Sequence, residues 1–177
     1  MRNINIDLSE LGMAFENYDT QISYYLDLET GEVLFVNHDD RSWLESLYED
    51  YYDEQTESLD WERVFQEEGM QDWQKDNLQQ IDLIESSYGT RFITIPPESP
   101  HIGFEDMLEF IQMVRNPRLQ DRLEDAISGR SAFRRFKDVL LNYPAERERW
   151  FNFKRECTSQ RVLAWLEEKG ITLIEDE

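Results

Sequence analysis

Apolar and polar residues alternate near the start of the chain in a pattern that predicts a β-hairpin. Residues 22–37 read ISYYLDLETGEVLFVN, in which two runs rich in Ile, Tyr, Leu, Val and Phe flank the polar stretch 29–31. Such runs favour strands, and a short polar stretch with glycine favours the turn between them. A further run, RFITIPPE, follows the turn at residues 88–90, and its prolines end it at a sheet edge. We expect the hairpin and Phe92–Ile95 to share a small antiparallel sheet.

Apolar residues at a spacing of 3.6 dominate the rest of the chain and predict helices. A short N-terminal helix from about Ser9 to Asn17 has Asp7 or Ser9 as its cap. The spacing predicts three more helices in the first half, over about residues 42–52, 59–65 and 72–86.

Stop and start signals divide the second half, after a helix with an apolar stripe over about residues 104–114. Asn116 is placed as an N-cap before Pro117, and Gly129 ends the helix that follows. Ser131 is predicted to cap the next helix. Pro144 then begins a long helix that reaches about residue 169 and ends at Gly170.

The long helix is apolar on two faces, which is typical of a helix packed between two layers. Trp150, Phe153 and Cys157 share one face, and Arg161 falls within the same stripe. A buried Arg161 requires a carboxylate partner. The closing ITLIEDE indicates one more short strand, Ile171 to Ile174, which we expect to join the hairpin sheet.

These elements predict an α+β fold, a predominantly helical single domain over residues 1–177 with a small antiparallel sheet based on the β-hairpin. An acidic half with the hairpin covers about residues 1–100, and a helical half covers about residues 101–177. The length suits one such domain.

Charge separates the two halves. The whole chain has a formal net charge of -21. Residues 1–100 hold 5 Lys and Arg against 24 Asp and Glu, whereas residues 101–177 hold 13 against 15. The first half therefore repels nucleic acid and anionic membranes. The sequence has no apolar run of the ~20 residues that a membrane span needs and no apolar signal-peptide core, and Cys157 is its single cysteine. We expect a cytoplasmic protein without disulfides.

The cations of the second half concentrate around the helix AFRRFKDVL, residues 132–140. On a helical wheel Phe133 and Phe136 share the core face, Arg134 and Arg135 lie opposite, and Lys137 lies on the flank. Two interpretations remain open. The cations dock internally on the acidic half or pair along the helix, as Arg134 would with Asp138. Alternatively they bind a protein or a small anion; direct nucleic-acid binding is disfavoured by the net charge.

The acidic helices hold 13 acids against two arginines over residues 39–72. Trp43, Tyr48, Tyr51 and Tyr52 lie between the acids and would give a binding surface aromatic anchors. Such a surface could imitate the charge of DNA. The alternative is the solvated face of ordinary amphipathic helices.

Few residues qualify for catalysis or metal binding. Cys157 with His38 or His101 could form a nucleophilic site, and the run from His38 to Asp40 could contact a metal. The simpler interpretation is a buried thiol at Cys157 and a helix start capped by Asp40 or Ser42. No phosphate-binding glycine loop or Gly-x-Ser-x-Gly motif occurs. We therefore predict no catalytic, cofactor-binding or metal-binding residues.

The order of the motifs resembles a bacterial family of uncharacterised proteins, number 0158 of the UPF series. The motifs are the YLDLETGEV hairpin, FITIP, the Met-Leu-x-Phe-Ile helix, AFRRFKDVL, ERERWFNF and RVLAWLEEKGI. The similarity extends from about Ser23 to Ile174, and its most specific parts are residues 133–138, Trp150 and Trp165-Leu166. Residues 39–72 are less typical of the family. The resemblance implies a coherent domain and carries over no catalytic role.

The sequence thus predicts a non-enzymatic interaction or regulatory module with a protein partner, no cofactor and no membrane contact. The predicted partner-binding residues are Arg134, Arg135, Lys137, Trp43, Tyr48, Tyr51 and Tyr52. Two alternatives remain, an inhibitor of a basic protein that mimics DNA and an enzyme with a small pocket. The oligomeric state is not predicted.

Overall fold

The computed structural model describes residues 2–174 and has a predominantly helical α+β fold, which confirms the predicted class. Its residues fall into two compact units. Among the described residues, the first unit comprises residues 2–14, 19–96 and 171–174. The second unit comprises residues 15–18 and 97–170. The prediction that the whole chain is one domain stays a prediction.

Helices outnumber strands by residue count in the described part of the chain. The elements are, in order, β1 (Arg2–Ile4), α1 (Leu8–Phe15), β2 (Ile22–Asp27), β3 (Val33–Asn37), α2 (His38–Tyr51), β4 (Tyr52–Asp53), β5 (Ser58–Leu59), α3 (Trp61–Glu67), α4 (Asp72–Ser86), β6 (Phe92–Ile95), α5 (Pro100–Met113), α6 (Pro117–Ile127), α7 (Ala132–Leu140), α8 (Pro144–Glu168) and β7 (Ile171–Leu173).

The predicted hairpin sheet is present in the first unit. Strands pair antiparallel in the order β3-β2-β6, and Tyr24 of β2 lies opposite both Phe35 and Ile95. Asp27 at the end of β2 is buried and receives hydrogen bonds of 2.7 to 3.1 Å from the Arg91 guanidinium. The pair joins the hairpin to the turn that precedes β6.

The prediction that the last strand joins this sheet is wrong. β7 instead pairs parallel with β1, where Asn3 lies opposite Thr172. The two strands are three residues each. Residues 3–6 read Asn-Ile-Asn-Ile and alternate polar and apolar side chains, but so short a run is weak evidence for a strand. No strand was predicted at β1 for this reason, and the partner of β7 was missed.

Helices α2 and α4 cover a core that includes β2, β3 and β6 in the first unit. α2 begins at His38, four residues before the predicted start, because the Asn37 side chain accepts a hydrogen bond from the Asp39 amide. The predicted caps Asp40 and Ser42 are wrong for this reason. The buried residues of this core are Tyr25, Val36, Leu44, Leu47, Tyr51, Leu59, Val64, Met70, Leu78, Ile81, Ile84 and Phe92.

Capping residues set other helix ends. Asp7 caps α1 by accepting from the amides of Ser9 and Glu10, and Asn116 caps α6 as predicted. The predicted cap at Ser131 is wrong. Ser131 precedes α7 with a left-handed φ of 59°, and its side chain makes no capping bond. An N-cap side chain needs an extended backbone to reach the first free amides.

The second unit has an aromatic core between α5, α7 and α8. Phe110, Phe136 and Trp150 pack edge to face, with ring centroids 4.8 to 6.2 Å apart. Such contacts add to the free energy of apolar burial. Phe133 was predicted on the core face and is 38% exposed, so it lies at the margin of this core. Its ring still lies next to Gly103, where any added Cβ would approach to 3.0 Å.

Length and polarity of the helices bear on membrane insertion. Within residues 2–174, no helix combines the length and the apolar character that a crossing requires.

Two glycines of the first unit offer a matched test of the hairpin turn. Gly31 and Gly89 both have left-handed φ values, 82° and 78°. A Cβ at Gly31 would lie 1.9 Å from the Asn5 carbonyl oxygen, whereas one at Gly89 would meet nothing within 4 Å. We expect Gly89→Ala to lower the free energy of unfolding by about 1 kcal/mol, the cost of a left-handed alanine. Gly31→Ala should cost roughly 2 kcal/mol more because the backbone must move. Urea unfolding followed by circular dichroism measures both; equal losses would contradict the close approach.

Candidate functional site

The two arginines of α7 have different environments. The Arg134 side chain is 85% exposed, and its Nε lies 3.9 Å from the carboxylate of Asp138, so the predicted pair along the helix is present. Arg135 donates to the carbonyl oxygens of Ser128 at 3.2 Å and Asp125 at 3.1 Å. These carbonyls belong to the end of α6, where backbone acceptors lack helical partners. Arg135 therefore ties α7 to α6.

A groove between α7 and α8 is lined by Lys137 and Arg147, and we name it the cationic groove. Its volume is ≈ 190 Å³. Leu140 and Trp150 are buried in its floor, while Leu141 and Phe151 are 58% and 47% exposed. The lining residues are Lys137, Asp138, Leu140, Leu141, Arg147, Trp150 and Phe151.

Cations and apolar surface occur together in the cationic groove. The Arg147 guanidinium carbon lies 5.3 Å from the Phe151 ring centroid. This distance allows a cation–π interaction, which favours a guanidinium stacked on the ring. Lys137 is exposed on the α7 side. A ligand in the groove would thus meet the positive charges of Lys137 and Arg147, the negative charge of Asp138, and exposed leucine and phenylalanine side chains.

Four charged side chains form a buried cluster in the second unit. The carboxylates of Glu98 and Asp106 are 2% and 3% exposed. Lys154 Nζ lies 3.1 Å from Glu98 Oε2 and 2.9 Å from Asp106 Oδ2, and Arg161 NH1 lies 3.0 Å from both carboxylates. Arg161 NH2 also bonds to Asp106. The predicted need of Arg161 for a carboxylate partner is confirmed.

The charges of the cluster shift the pKa values of Asp106 and Lys154 in opposite directions. Burial raises the pKa of Asp106, but hydrogen bonds from Arg161 and Lys154 offset this, and the pKa lies below its ordinary value. Burial lowers the pKa of Lys154, and bonds to Asp106 and Glu98 bring it above its ordinary value. Two carboxylates and two cations meet here, and a third carboxylate, Glu16, lies 3.8 Å from Lys154 Nζ. The cluster joins α8 to α5 through the bonds of Lys154 and Arg161 to Asp106.

The predicted aromatic anchors of the first unit lie partly in its core. Tyr51 is buried and donates to Glu68 at 2.7 Å, a bond that, with burial, raises the pKa of Tyr51 to about 12. Trp43 and Tyr48 are half-buried against the same core. Tyr52 is 49% exposed, and its ring centroid lies 6.2 Å from that of Tyr48. Tyr51 thus has little surface for a partner, and Tyr52 has the most.

A second pocket, named here the α2–α4 pocket, has a volume of ≈ 430 Å³ in the first unit. Arg41 Nε lies 2.8 Å from Glu85, and its NH2 donates to the Tyr25 hydroxyl at 2.5 Å. The pocket's lining is Arg41, Leu44, Glu45, Tyr48, Asp82, Glu85 and Ser86. The sequence did not reveal it, because Asp82 and Glu85 are acids of an ordinary amphipathic helix until α4 meets α2.

The structure gives the catalytic candidates other roles. Cys157 is half-buried, and burial raises the pKa of its thiol, so the nucleophilic thiolate is disfavoured. His38 Nε2 lies 2.9 Å from Ser23 Oγ, a contact that sequence reasoning missed although the register of the hairpin brings the two residues together. The His101 side chain is 76% exposed and lies 3.1 Å from Glu105.

Metal binding has no cluster to support it in the described part of the chain. Across residues 2–174 no three or more His, Cys, Asp or Glu side chains converge as ligands of an ion. His38, Asp39 and Asp40 form the first turn of α2, where successive side chains point in different directions.

Fold and surface together define a predominantly helical α+β protein with a cationic groove and an acidic pocket. The chain belongs to the uncharacterised protein family UPF0158, whose profile matches residues 70–177. The UPF0158 protein PA5073 of Pseudomonas aeruginosa is 25% identical over 171 residues, an alignment that covers 97% of this chain and 87% of the relative. No solved structure matches the chain. The resemblance drawn from the motifs is confirmed.

The environments of Arg134 and Arg135 predict unequal effects on stability. Arg135→Ala removes the two bonds to α6 and should lower the free energy of unfolding by about 0.5–1 kcal/mol. Arg134→Ala removes only an exposed pair and should stay within about 0.5 kcal/mol of the unaltered protein. Urea unfolding compares the two variants, and a larger loss for Arg134→Ala would contradict the assignment.

The buried cluster predicts a pH-dependent contribution from Asp106. Asp106→Asn should lower the free energy of unfolding by about 3 kcal/mol at pH 7, because two cations lose a buried partner. The pKa of Asp106 is lowered in the folded state, so its contribution is present above the ordinary value of 3.8 and is lost as pH falls below it. The difference between the two proteins should therefore shrink below about pH 4.

The control for this experiment is Asp121→Asn, at an exposed position of α6. Urea unfolding at several values between pH 3 and pH 7 gives the difference for each variant. A difference for Asp106→Asn that stays constant over that range would show that the lowered pKa is not its source.

Proposed function

We propose that this chain is a non-enzymatic protein-interaction module whose cationic groove binds an acidic segment of a partner protein. The observation that carries the proposal is the groove itself. It combines Lys137 and Arg147 with the exposed side chains of Leu141 and Phe151. Interfaces favour such sites, in which an apolar contact supplies affinity and charges at the rim supply specificity.

The groove has a buried floor and an exposed rim. Leu140 is 1% exposed and Trp150 is 5% exposed, so the packing of α7 on α8 holds the base of the groove in place. A preformed base lowers the conformational entropy that a partner must lose on binding. Arg147 is placed over Phe151, which keeps its charge at the mouth of the groove.

The expected partner segment carries carboxylates and one apolar side chain. The carboxylates would meet Lys137, Arg147 and the exposed Arg134, which lies outside the groove on the same helix. The apolar side chain would enter between Leu141 and Phe151. Arg135 is occupied by the carbonyls of α6 and is assigned no partner contact.

A nucleic-acid partner is less consistent with the charges. Asp138 lines the same groove, and the chain as a whole has a net charge of -21. A long phosphate backbone would contact more of this surface than one groove and would be repelled by it. A short acidic peptide segment also meets Asp138, but it contacts less of the acidic surface than a long phosphate backbone does.

Mimicry of DNA by residues 39–72 is weakened by the internal roles of several acids. Asp40 accepts from Asn77, Asp60 caps α3, and Glu68 accepts from Tyr51. Glu67 pairs with Arg63 at 2.9 Å. These carboxylates have structural partners, which an array that imitates phosphates would not require.

A single cysteine without a disulfide suits a reducing compartment, which supports a proposed location. We place it in the bacterial cytoplasm, where Cys157 would remain a thiol. The bacterial origin of the related protein supports this proposal.

A pull-down with charge-reversed variants tests the function. The tagged full chain is used to capture proteins from its host at low and high salt with nuclease present, and bound proteins are identified by mass spectrometry. We expect a stoichiometric partner that Lys137→Glu with Arg147→Glu no longer captures, because both cations of the groove are reversed. High salt should also release the partner from the unaltered chain, because salt screens the charges that hold it.

The matched control is Arg115→Glu with Arg118→Glu, which changes the net charge equally at two exposed positions outside the groove. The control should capture the partner as the unaltered chain does. Equal losses in both variants, or capture by neither the unaltered chain nor the control, would contradict binding at the cationic groove.

A further inference from the structure

The α2–α4 pocket has the opposite charge to the cationic groove. Three carboxylates and one guanidinium line it, a net charge of -2. We propose that this pocket binds a lysine or arginine side chain presented by a basic segment of a partner protein. The proposal concerns a second site and does not depend on the cationic groove.

Asp82 is the central acceptor of the pocket. The Tyr48 hydroxyl donates to its Oδ1, and Trp61 Nε1 donates to its Oδ2 at 3.3 Å. Both donors are neutral: burial and the bond to Asp82 raise the pKa of Tyr48, so the phenol keeps its proton. Among residues 2–174, Asp82 has no ion pair. Its carboxylate is oriented by two fixed donors, yet its charge is not cancelled by a cation.

Arg41 does not neutralise Asp82, because its guanidinium bonds to other side chains. Its Nε pairs with Glu85 and its NH2 bonds to the Tyr25 hydroxyl, which lies in the core. Glu45, one turn after Arg41 on α2, is exposed and forms no ion pair in the described part of the chain. Once Arg41 and Glu85 are counted together, the charges of Glu45 and Asp82 remain for a ligand.

The walls of the pocket suit a long cationic side chain. Leu44 is 3% exposed and offers an apolar contact for the methylene stem of a lysine or arginine. Tyr48 also lines the pocket, so its ring can contact the ammonium or guanidinium. The volume of ≈ 430 Å³ is that of a site for a ligand group and far exceeds the room needed by one water molecule.

A protein segment is favoured as the source of that cation. Residues 1–100 carry 24 acids against 5 cations, a field that attracts an extended basic segment more strongly than a single amine. Beside Tyr48, the half-exposed ring of Tyr52 adds surface that a passing chain could cover. A segment with several lysines or arginines would place one of them in the pocket and the others along the acidic surface.

Fluorescence anisotropy with a labelled peptide of alternating arginine and glycine tests the proposal on the full chain. The matched probe replaces each arginine with citrulline, which has nearly the same shape and no charge. The pocket variant is Glu45→Gln with Asp82→Asn. The control is Glu49→Gln with Asp50→Asn, which alters two exposed acids of α2 outside the pocket.

We expect the arginine peptide to bind and the citrulline peptide not to bind. The pocket variant should weaken binding about tenfold, the effect of losing charge-assisted bonds at one site. The control should change the affinity less than about twofold. Glu45→Gln alone should weaken binding measurably, and it keeps the proposal testable if Asp82→Asn fails to fold, since Glu45 forms no ion pair with the residues that the structure describes.

Three outcomes would overturn the proposal. Equal weakening in the pocket variant and the control would assign binding to the diffuse field of the acids. Agmatine that binds as tightly as the peptide would identify a small organic cation as the ligand. Absence of binding to a folded chain would exclude the site. Lys137→Glu with Arg147→Glu should bind the arginine peptide undiminished, so failure of the cationic groove and failure of this pocket are distinguishable.

Discussion

The second unit depends on the pairing of two buried carboxylates with two cations of one helix. Glu98 and Asp106 are nearly removed from water, and an ionised carboxylate in that environment is stable only with partners that replace its hydration. Lys154 and Arg161 lie two turns apart on α8 and reach both carboxylates. This requirement fixes the rotation and the axial position of α8 against α5. The face of α8 that meets α7 is fixed with it, and this face supplies Arg147, Trp150 and Phe151 to the cationic groove.

The pairing of some charged side chains, and not of others, explains why so acidic a chain has both a cationic groove and an acidic pocket. Two cations of the second unit are paired within the buried cluster. Arg135 donates its hydrogen bonds to carbonyl oxygens at the end of α6. Most other cations of the second unit are exposed, and they act over a short distance in physiological salt. In the first unit Asp27 is neutralised by Arg91 in a comparable way, whereas Asp82 is held by neutral donors. The α2–α4 pocket is distinguished by Asp82, a carboxylate that forms no ion pair within residues 2–174. The number of acids in the first unit does not distinguish it.

Local signals in the sequence predicted local structure well. The bounds of α4 and β6 agree with the predicted ones, and Asn116 and Gly129 mark the ends of α6 as expected. Errors occurred where a backbone conformation outweighed residue preference, as at Ser131, or where a strand was too short to show a period, as at β1. Of the predicted partner-binding residues, Lys137 lines the cationic groove and Tyr48 lines the α2–α4 pocket. The sequence could not show that Tyr51 lies in the core, because helical spacing does not distinguish a buried tyrosine from an exposed one.

The sequence by itself determined the fold class, the hairpin, most helix ends, the asymmetry of charge and the need of Arg161 for an acid. Each of these depends on residues within one or two turns of one another, or on composition. The tertiary structure decided which acids pair with Arg161, since Glu98 and Asp106 are 63 and 55 positions away from it in the sequence. It also decided the partner of β7 and the composition of both candidate sites. Such contacts join separate elements, and their geometry follows from packing. The local spacing of apolar residues carries no information about that packing.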